Sequence, residues 1–426
     1  MDSAAHRGVP AWVRLDNAAK IYPAAKTRGW MPMFRVTAVL RDDVDPDALQ
    51  RALDAALARV PLFGYRLRRG LFWYYLERQR RTPRVEPDAR NPLLPINLTP
   101  SKGFLFRVRY FRKRVALEVF HAVADGYGAS VFLLTMMAEY VFLRYGERVP
   151  PGGLVLDTRE RPQPEEWEDS FPRYARSVVH PRGEEAAWRL DGTPDETVHL
   201  HVVTGVMPTD RLLEAARERK ASVTHLLAAL LLQALLKRKK GTRRGRNRPV
   251  KVSLPVNLRR YYPSKTLRNF SFYVNVPVRS DYADYTLDQL ILIVKSYMAL
   301  ETLEPLLNAR FSANVRSEQN PILRAAPLVV KDLVLKFMFR LMGERLMTCT
   351  LSNLGQYDVP PQMQKHIERL DIINGRPNKN PLSCLAISAC GVTSVSFSRT
   401  IRESEVERDF FTGLVELGVP VTVEGN

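Results

Sequence analysis

The stretch Phe120-His-Ala-Val-Ala-Asp-Gly-Tyr127 decides how this chain is read. Within it, His121, Asp125 and Gly126 form the pattern H-x-x-x-D-G. Just before it, Phe104 to Phe111 and Arg114 to Phe120 read as two strands joined by a turn at Arg112-Lys113, and the alternation of Val115, Leu117 and Val119 marks one buried face. Just after it, Tyr127 to Tyr145 reads as a helix that is apolar nearly all round (Val131, Phe132, Leu133, Leu134, Met136, Met137) and is expected to be buried. A short polar run between a strand end and a buried helix sets an imidazole at a sheet edge, facing a crevice. Histidine titrates near neutral pH with little tuning, which is what proton transfer requires. Asp125 lies across a tight turn, pointing either at His121 or away from it to anchor the loop. Gly126 lets backbone or substrate approach with no Cβ in the way. A plainer account fits the same residues: Asp125 caps the helix, and His121 is a satisfied core histidine. The local pattern leaves both open.

Working outward, Val36 to Leu40 reads as a strand and Asp45 to Val60 as a helix, with Pro46 in its first turn. Leu71 to Leu76 reads as a short aromatic strand. From Gly146 to about Pro194 the composition turns to proline, glycine and charge, as expected of a linker or long crossover. Strands then resume at Thr197 to Val206, Val250 to Leu254, Phe270 to Val278, Thr348 to Leu351, Ser383 to Ala389 and Val392 to Phe397. Helices are expected over Pro208 to Arg219, Ser222 to Arg238, Thr286 to Leu303, Pro327 to Gly343 and Ser404 to Leu417. The pattern predicts an α/β protein of two units of similar size, 1–150 and 195–426, joined by 151–194.

Composition narrows the function classes. The 426 residues are 45% hydrophobic, enough to fill a sizeable core, and no stretch reaches the roughly 18 uninterrupted apolar residues of a membrane span. The first residues lack the apolar core of a signal peptide, so a cytoplasmic location is the default expectation. Three cysteines, Cys349, Cys384 and Cys390, argue against a disulfide framework, and with no Cys-x-x-Cys pair a thiolate metal site is not expected. The net charge of +19 predicts affinity for an anionic partner: nucleic acid, a membrane surface, a phosphate-bearing cofactor or an acidic carrier protein. No nucleic-acid-binding module is legible, which disfavours the first.

The run Phe120 to Gly126 resembles the H-x-x-x-D-G motif of the superfamily with the chloramphenicol acetyltransferase fold, which includes condensation domains of peptide synthetases, alcohol acetyltransferases and mycobacterial polyketide-associated acyltransferases. Further runs fit in order. Val252-Ser-Leu-Pro-Val-Asn-Leu-Arg259 resembles the P-V-x-L-R segment, and Leu267-Arg-Asn-Phe270 resembles G-N-F with Arg268 in place of glycine. Thr350-Leu-Ser-Asn-Leu-Gly355 resembles the S-N-x-G strand end, and Val395-Ser-Phe397 with Glu405 to Val423 resembles the closing strand, helix and strand. Phe120 stands where many condensation domains carry a second histidine, and the D-F-G-W-G motif of plant enzymes is absent; both departures favour the alcohol acetyltransferase and mycobacterial branches.

The resemblance implies two similar domains of mixed sheets and flanking helices around a central tunnel. It implies an acyltransferase of lipid metabolism or a related pathway, with no permanently bound cofactor. Acyl-CoA or an acyl carrier protein would bring the acyl thioester, and a hydrophobic alcohol, or less often an amine, would accept it. By the same resemblance His121 is the general base, Asp125 pairs with Arg259 to hold the loop, and Gly126 completes the motif. Ser352, Asn353, Gly355 and Asn269 are the oxyanion or tunnel candidates. The alternatives are an amide-forming condensation enzyme and a silent relative that binds lipid or carrier protein.

Four other features have two readings each. The run Lys237 to Arg248 holds eight basic residues in twelve, either a solvated loop after a helix or a docking site for an acidic carrier protein, phosphates or anionic lipid. The helix Pro327 to Gly343 is amphipathic; it packs beside the tunnel, or lies on a membrane through Lys331, Lys336 and Arg340. His199 and His201 share a strand face, which fits surface histidines better than a metal pair. Tyr22, Trp30 and Phe34 either line a tunnel entrance or fill the core.

Overall fold

The computed structural model describes residues 9–27, 30–98, 103–178, 180, 183–195, 199–240, 242, 245–280, 282, 284–342, 344–377 and 380–426. Thr197 and Gly343, and three positions of the basic run (241, 243 and 244), lie outside the described residues, as does the Arg340 side chain. In chain order the strands are β1 (Trp12–Arg14), β2 (Met33–Leu40), β3 (Tyr65–Arg69), β4 (Tyr74–Arg78), β5 (Glu86–Pro87), β6 (Phe106–Phe111), β7 (Arg114–Phe120), β8 (His201–Pro208), β9 (Val250–Asn257), β10 (Ser271–Val278), β11 (Cys349–Tyr357), β12 (Ile367–Asn374), β13 (Leu382–Ala389), β14 (Val392–Arg399) and β15 (Thr422–Gly425).

The described strands form three sheets. A five-stranded sheet has the order β12-β2-β7-β6-β5, a seven-stranded sheet the order β10-β9-β11-β13-β14-β8-β15, and a small sheet the order β1-β4-β3. β9, β11 and β13 run parallel to their neighbours in that series, and the other pairs of the large sheet are antiparallel. β12 was not foreseen as a strand. It arrives late in the chain yet pairs antiparallel with β2, so a strand from the 195–426 segment completes the first sheet. The Ser394 hydroxyl donates to the Leu370 carbonyl, tying β14 of the seven-stranded sheet to β12 of the five-stranded one.

The Gly126–Tyr145 helix fills the core behind the five-stranded sheet. Asp125 caps its start by accepting from the Gly128 N–H, and Gly146, at φ +73°, ends it in the left-handed conformation. Phe132 stacks on Phe63 and meets Phe106 edge-on. The helix is long and apolar enough to cross a membrane, but most of its side chains are buried inside the fold, as a core helix requires. The crossover is no free linker. Glu166 accepts two 2.6 Å bonds from the buried Arg59 guanidinium, Phe171 packs with Phe270 and Phe311, and Trp188 enters the core of the large sheet.

Among its described side chains, the helix Leu328–Met342 lines the cavity with Val330, Val334 and Leu335, while Val329, Leu333 and Phe337 are well exposed. In the basic run, Lys239 is buried and donates to the Arg248 carbonyl, while Lys237 and Lys240 pair with Asp409 and Asp284. Three cations of the run thus have partners at the end of the Val223–Lys240 helix.

A second glycine of the helix start is held more tightly than the one in the motif. A Cβ on Gly128 would lie 1.9 Å from the Leu267 carbonyl oxygen, a backbone atom, whereas one on Gly126 would meet only the end of the Leu354 side chain, at 2.9 Å. Gly128→Ala is therefore expected to destabilise by about 2–3 kcal/mol and Gly126→Ala by clearly less, measured by chemical denaturation.

Candidate active site

β7 ends at Phe120, which pairs with Met33 at the start of β2. The chain turns there, and the His121 N–H donates to the Pro32 carbonyl at 3.0 Å. The imidazole stands between Phe34, at 4.5 Å between ring centres, and Tyr22, at 5.2 Å. It borders a cavity of about 1460 Å³ whose lining includes Tyr22, Trp30, Phe34, Asp125, Gly126 and Ser352. The early aromatics line this cavity, and Phe34 also belongs to the hydrophobic core with Tyr22 packed against it.

Asn269 lies behind the ring and fixes its orientation. Its Nδ2 donates to the His121 carbonyl at 2.9 Å and to Asp16 Oδ2 at 3.1 Å. A carbonyl oxygen only accepts, so Oδ1 of Asn269 must be the atom 3.4 Å from His121 Nδ1, and Nδ1 must carry the hydrogen. The lone pair is then on Nε2, which makes no hydrogen bond among the described residues. Burial lowers the imidazole pKa below its ordinary value; the Asn269 bond and the Asp125 charge oppose that shift in part. Burial thus favours the neutral form of the ring.

Asp125 does both things the sequence allowed. Oδ1 caps the helix through Gly128 N at 3.0 Å, while Oδ2 accepts from Arg259 Nη1 at 2.7 Å and from Phe270 N at 3.0 Å. It points away from His121. Arg259 also donates to the carbonyls of Thr266 and Arg268 and lies over the Tyr127 ring. Three segments far apart in sequence are thereby bolted together: the motif turn, the 3-10 turn after β9 and the loop before β10.

Asp16 is the residue that sequence reasoning missed. It is wholly buried, accepts from Ala19 N at 2.7 Å and from Asn269, and lies 3.4 Å from Arg268 Nε. Burial pushes its carboxyl pKa up, while Arg268, Asn269 and the Ala19 N–H pull the other way. Arg268, the departure from the G-N-F pattern, is buried too and reaches the Arg14 and Trp167 carbonyls. The extra cation has its own buried anion. Asp16 sits in a short N-terminal stretch with no motif around it, so only the fold brings it to Asn269.

Ser352, Asn353 and Gly355 lie within β11, not in a turn after it. The register of β11 against β13 slips between Asn353 and Gln356, and Gly355 takes φ +84° there. Asn353 spends its side chain on this bulge: Nδ2 donates to Thr224 Oγ1 at 3.0 Å, and Oδ1 accepts from Gly355 N at 2.9 Å. Ser352 and Asn353 both line the cavity, Gly355 does not, and the Ser352 hydroxyl makes no side-chain hydrogen bond among the described residues. His201 pairs with Asp195 at 2.6 Å on the far strand β8, away from this cavity.

No protein-family model matches the sequence, and no curated protein matches it. Solved structures do match the fold along nearly its whole length. Polyketide synthase associated protein 5 from Mycobacterium tuberculosis superposes with a TM-score of 0.60 at 15% identity, covering 94% of this chain and 96% of that one. The starter condensation domain of rhizomide synthetase, solved with C8-CoA and Leu-SNAC, gives 0.59 at 14% identity over 97% and 96%. Trichothecene 15-O-acetyltransferase from Fusarium sporotrichioides gives 0.59 at 12% identity over 95% and 94%. The expected mixed α/β fold class is thus the observed one, and this chain shares the fold of these condensation-domain and acetyltransferase structures.

Proposed function

We propose that this protein transfers an acyl group from a thioester to the hydroxyl of an apolar acceptor, with His121 as general base. The observation that carries the reading is the place of the His121 ring: it borders a large cavity, its Nδ1 lies 3.4 Å from the Asn269 side-chain oxygen, and its Nε2 makes no hydrogen bond among the described residues. Nε2 takes the acceptor's proton as its oxygen attacks the thioester carbonyl. The C–S bond then breaks, and the imidazolium returns the proton to the departing thiolate. Ser352, a hydroxyl on the cavity wall, is the side chain we assign as donor to the oxyanion. The donor is acyl-CoA or an acyl carrier protein, in keeping with the net charge of +19.

A thiol-release assay with a panel of acyl-CoAs tests this. Release that depends on an added long-chain alcohol supports ester formation. Release that depends on an amine instead replaces it with condensation chemistry, and binding without release marks a silent relative. The ring's orientation has its own test. Asn269→Leu removes the acceptor for Nδ1–H and a contact that raises the His121 pKa. Because that bond is long and neutral, kcat is expected to fall about tenfold with KM little changed. The acid limb of the pH profile should also move to lower pH.

A further inference from the structure

We propose that the helix Leu328–Met342, with the loop at Leu71-Phe72, is a docking surface for an anionic lipid bilayer, placed at the mouth of the cavity. Val329, Val330, Leu333, Val334 and Phe337 are spaced i, i+1, i+4, i+5 and i+8, so they share one face of the helix. That face meets solvent: Val329 is 67%, Leu333 71% and Phe337 60% exposed, and Leu71 beside it is 73% exposed. The Leu328 N–H bonds to the Leu71 carbonyl, which joins loop and helix into one apolar patch.

The charges around the patch say what covers it. Lys336 borders the apolar face on the helix, and Arg69 and Arg324 stand exposed beside it. Asp332, the acid on this helix, is turned inward to the Tyr74 hydroxyl and Arg69. An apolar face with a cationic border fits the headgroup region of an anionic bilayer. Lys331, which the sequence assigned to this contact, does something else. It is buried, donates to the Phe72 and Arg324 carbonyls and lies 3.9 Å from the centre of the Trp73 ring, so it fastens the patch to the fold.

Val330 and Val334 belong both to the exposed face and to the wall of the cavity that holds His121. An apolar molecule leaving the bilayer here would enter the cavity without crossing water. That last consequence rests on the acyl-transfer reading; the docking itself does not.

Flotation of the full chain with vesicles tests the docking without any need for turnover. The protein should float with an equal mixture of phosphatidylcholine and phosphatidylglycerol, bind phosphatidylcholine alone weakly, and be released by high salt. Lys336→Glu should weaken binding about tenfold. Leu333→Asp with Phe337→Asp should abolish it while the circular dichroism melt stays as in the wild type, since both positions are exposed. The proposal is overturned if wild type floats with neither vesicle or if the double variant floats equally well. It is also overturned if sedimentation velocity shows a wild-type dimer that the double variant disperses, which would give the face to a second copy.

Discussion

Replacing His121 with alanine is expected to lower kcat/KM by about 10²–10⁴-fold while leaving the thermal melt nearly unchanged. Both halves follow from where the ring sits. It borders the cavity, its side chain has one long hydrogen bond, to Asn269, and its ring contacts are with Phe34 and Tyr22, which also line the cavity. The backbone bonds that hold the turn, His121 N to the Pro32 carbonyl and Asn269 Nδ2 to the His121 carbonyl, do not involve the imidazole. Acceptor-dependent thiol release and a calorimetric melt, taken on the same preparation, measure the two halves. Full turnover in the variant removes the general-base assignment.

Asp125→Ala is expected to do the reverse in emphasis: a stability loss of about 3–5 kcal/mol, with activity falling as a consequence. The carboxylate has three partners, the Gly128 and Phe270 N–H groups and the Arg259 guanidinium. Removing it leaves two buried donors and one buried cation without their acceptor, and the cation dominates the cost. Asp125→Asn keeps the shape and one accepting oxygen, so its loss should be intermediate. Denaturant unfolding resolves this order. An Asp125→Ala protein as stable as the wild type would mean that the pair with Arg259 does not anchor the loop.

Part of the N-terminal half was legible because its signals are local; β1, β3 and β5 were not foreseen, and the strand expected over Leu71 to Leu76 begins only at Tyr74, with Leu71 and Phe72 in the loop before it. Alternation marked β7, the all-round apolar run marked the helix after the motif, and Asp45-Pro46 marked the start of the Pro46–Arg59 helix, where Asp45 does cap the Asp47 and Ala48 N–H groups. The segment 304–325 was not read as helical, although Glu304–Gln319 and Pro321–Ala325 are helices. Its apolar stripe is narrow, Leu307, Phe311 and Val315 at i, i+4 and i+8 in an otherwise polar sequence, and these three pack with Phe171 and Phe270. β12 escaped for a similar reason: its partner, β2, lies more than three hundred residues earlier.

The site divides the same way. His121, Asp125 and Arg259 were legible because motif order carried them, and the Asp125–Arg259 bond is present as the resemblance implied. Asn269 was picked out for the tunnel, but its place is behind the ring, which no spacing reveals. Asp16, Gly128 and the holding role of Asn353 depend on what the fold brings near them: Arg268, the Leu267 carbonyl and Thr224. Exposure of Leu328–Met342 was hidden for the converse reason. Apolar periodicity reports a face, and only the fold tells whether that face is covered.

The central claim is that the neutral imidazole of His121 takes the acceptor's proton, and the pH dependence of kcat/KM tests it most directly. A base must be unprotonated to act, and burial lowers the His121 pKa. The acid limb should therefore show one ionisation with a midpoint below the ordinary imidazole value of about 6.5. His121→Gln should be slow and should lack that limb. A His121→Gln protein that keeps both the wild-type rate and the wild-type limb would contradict the account.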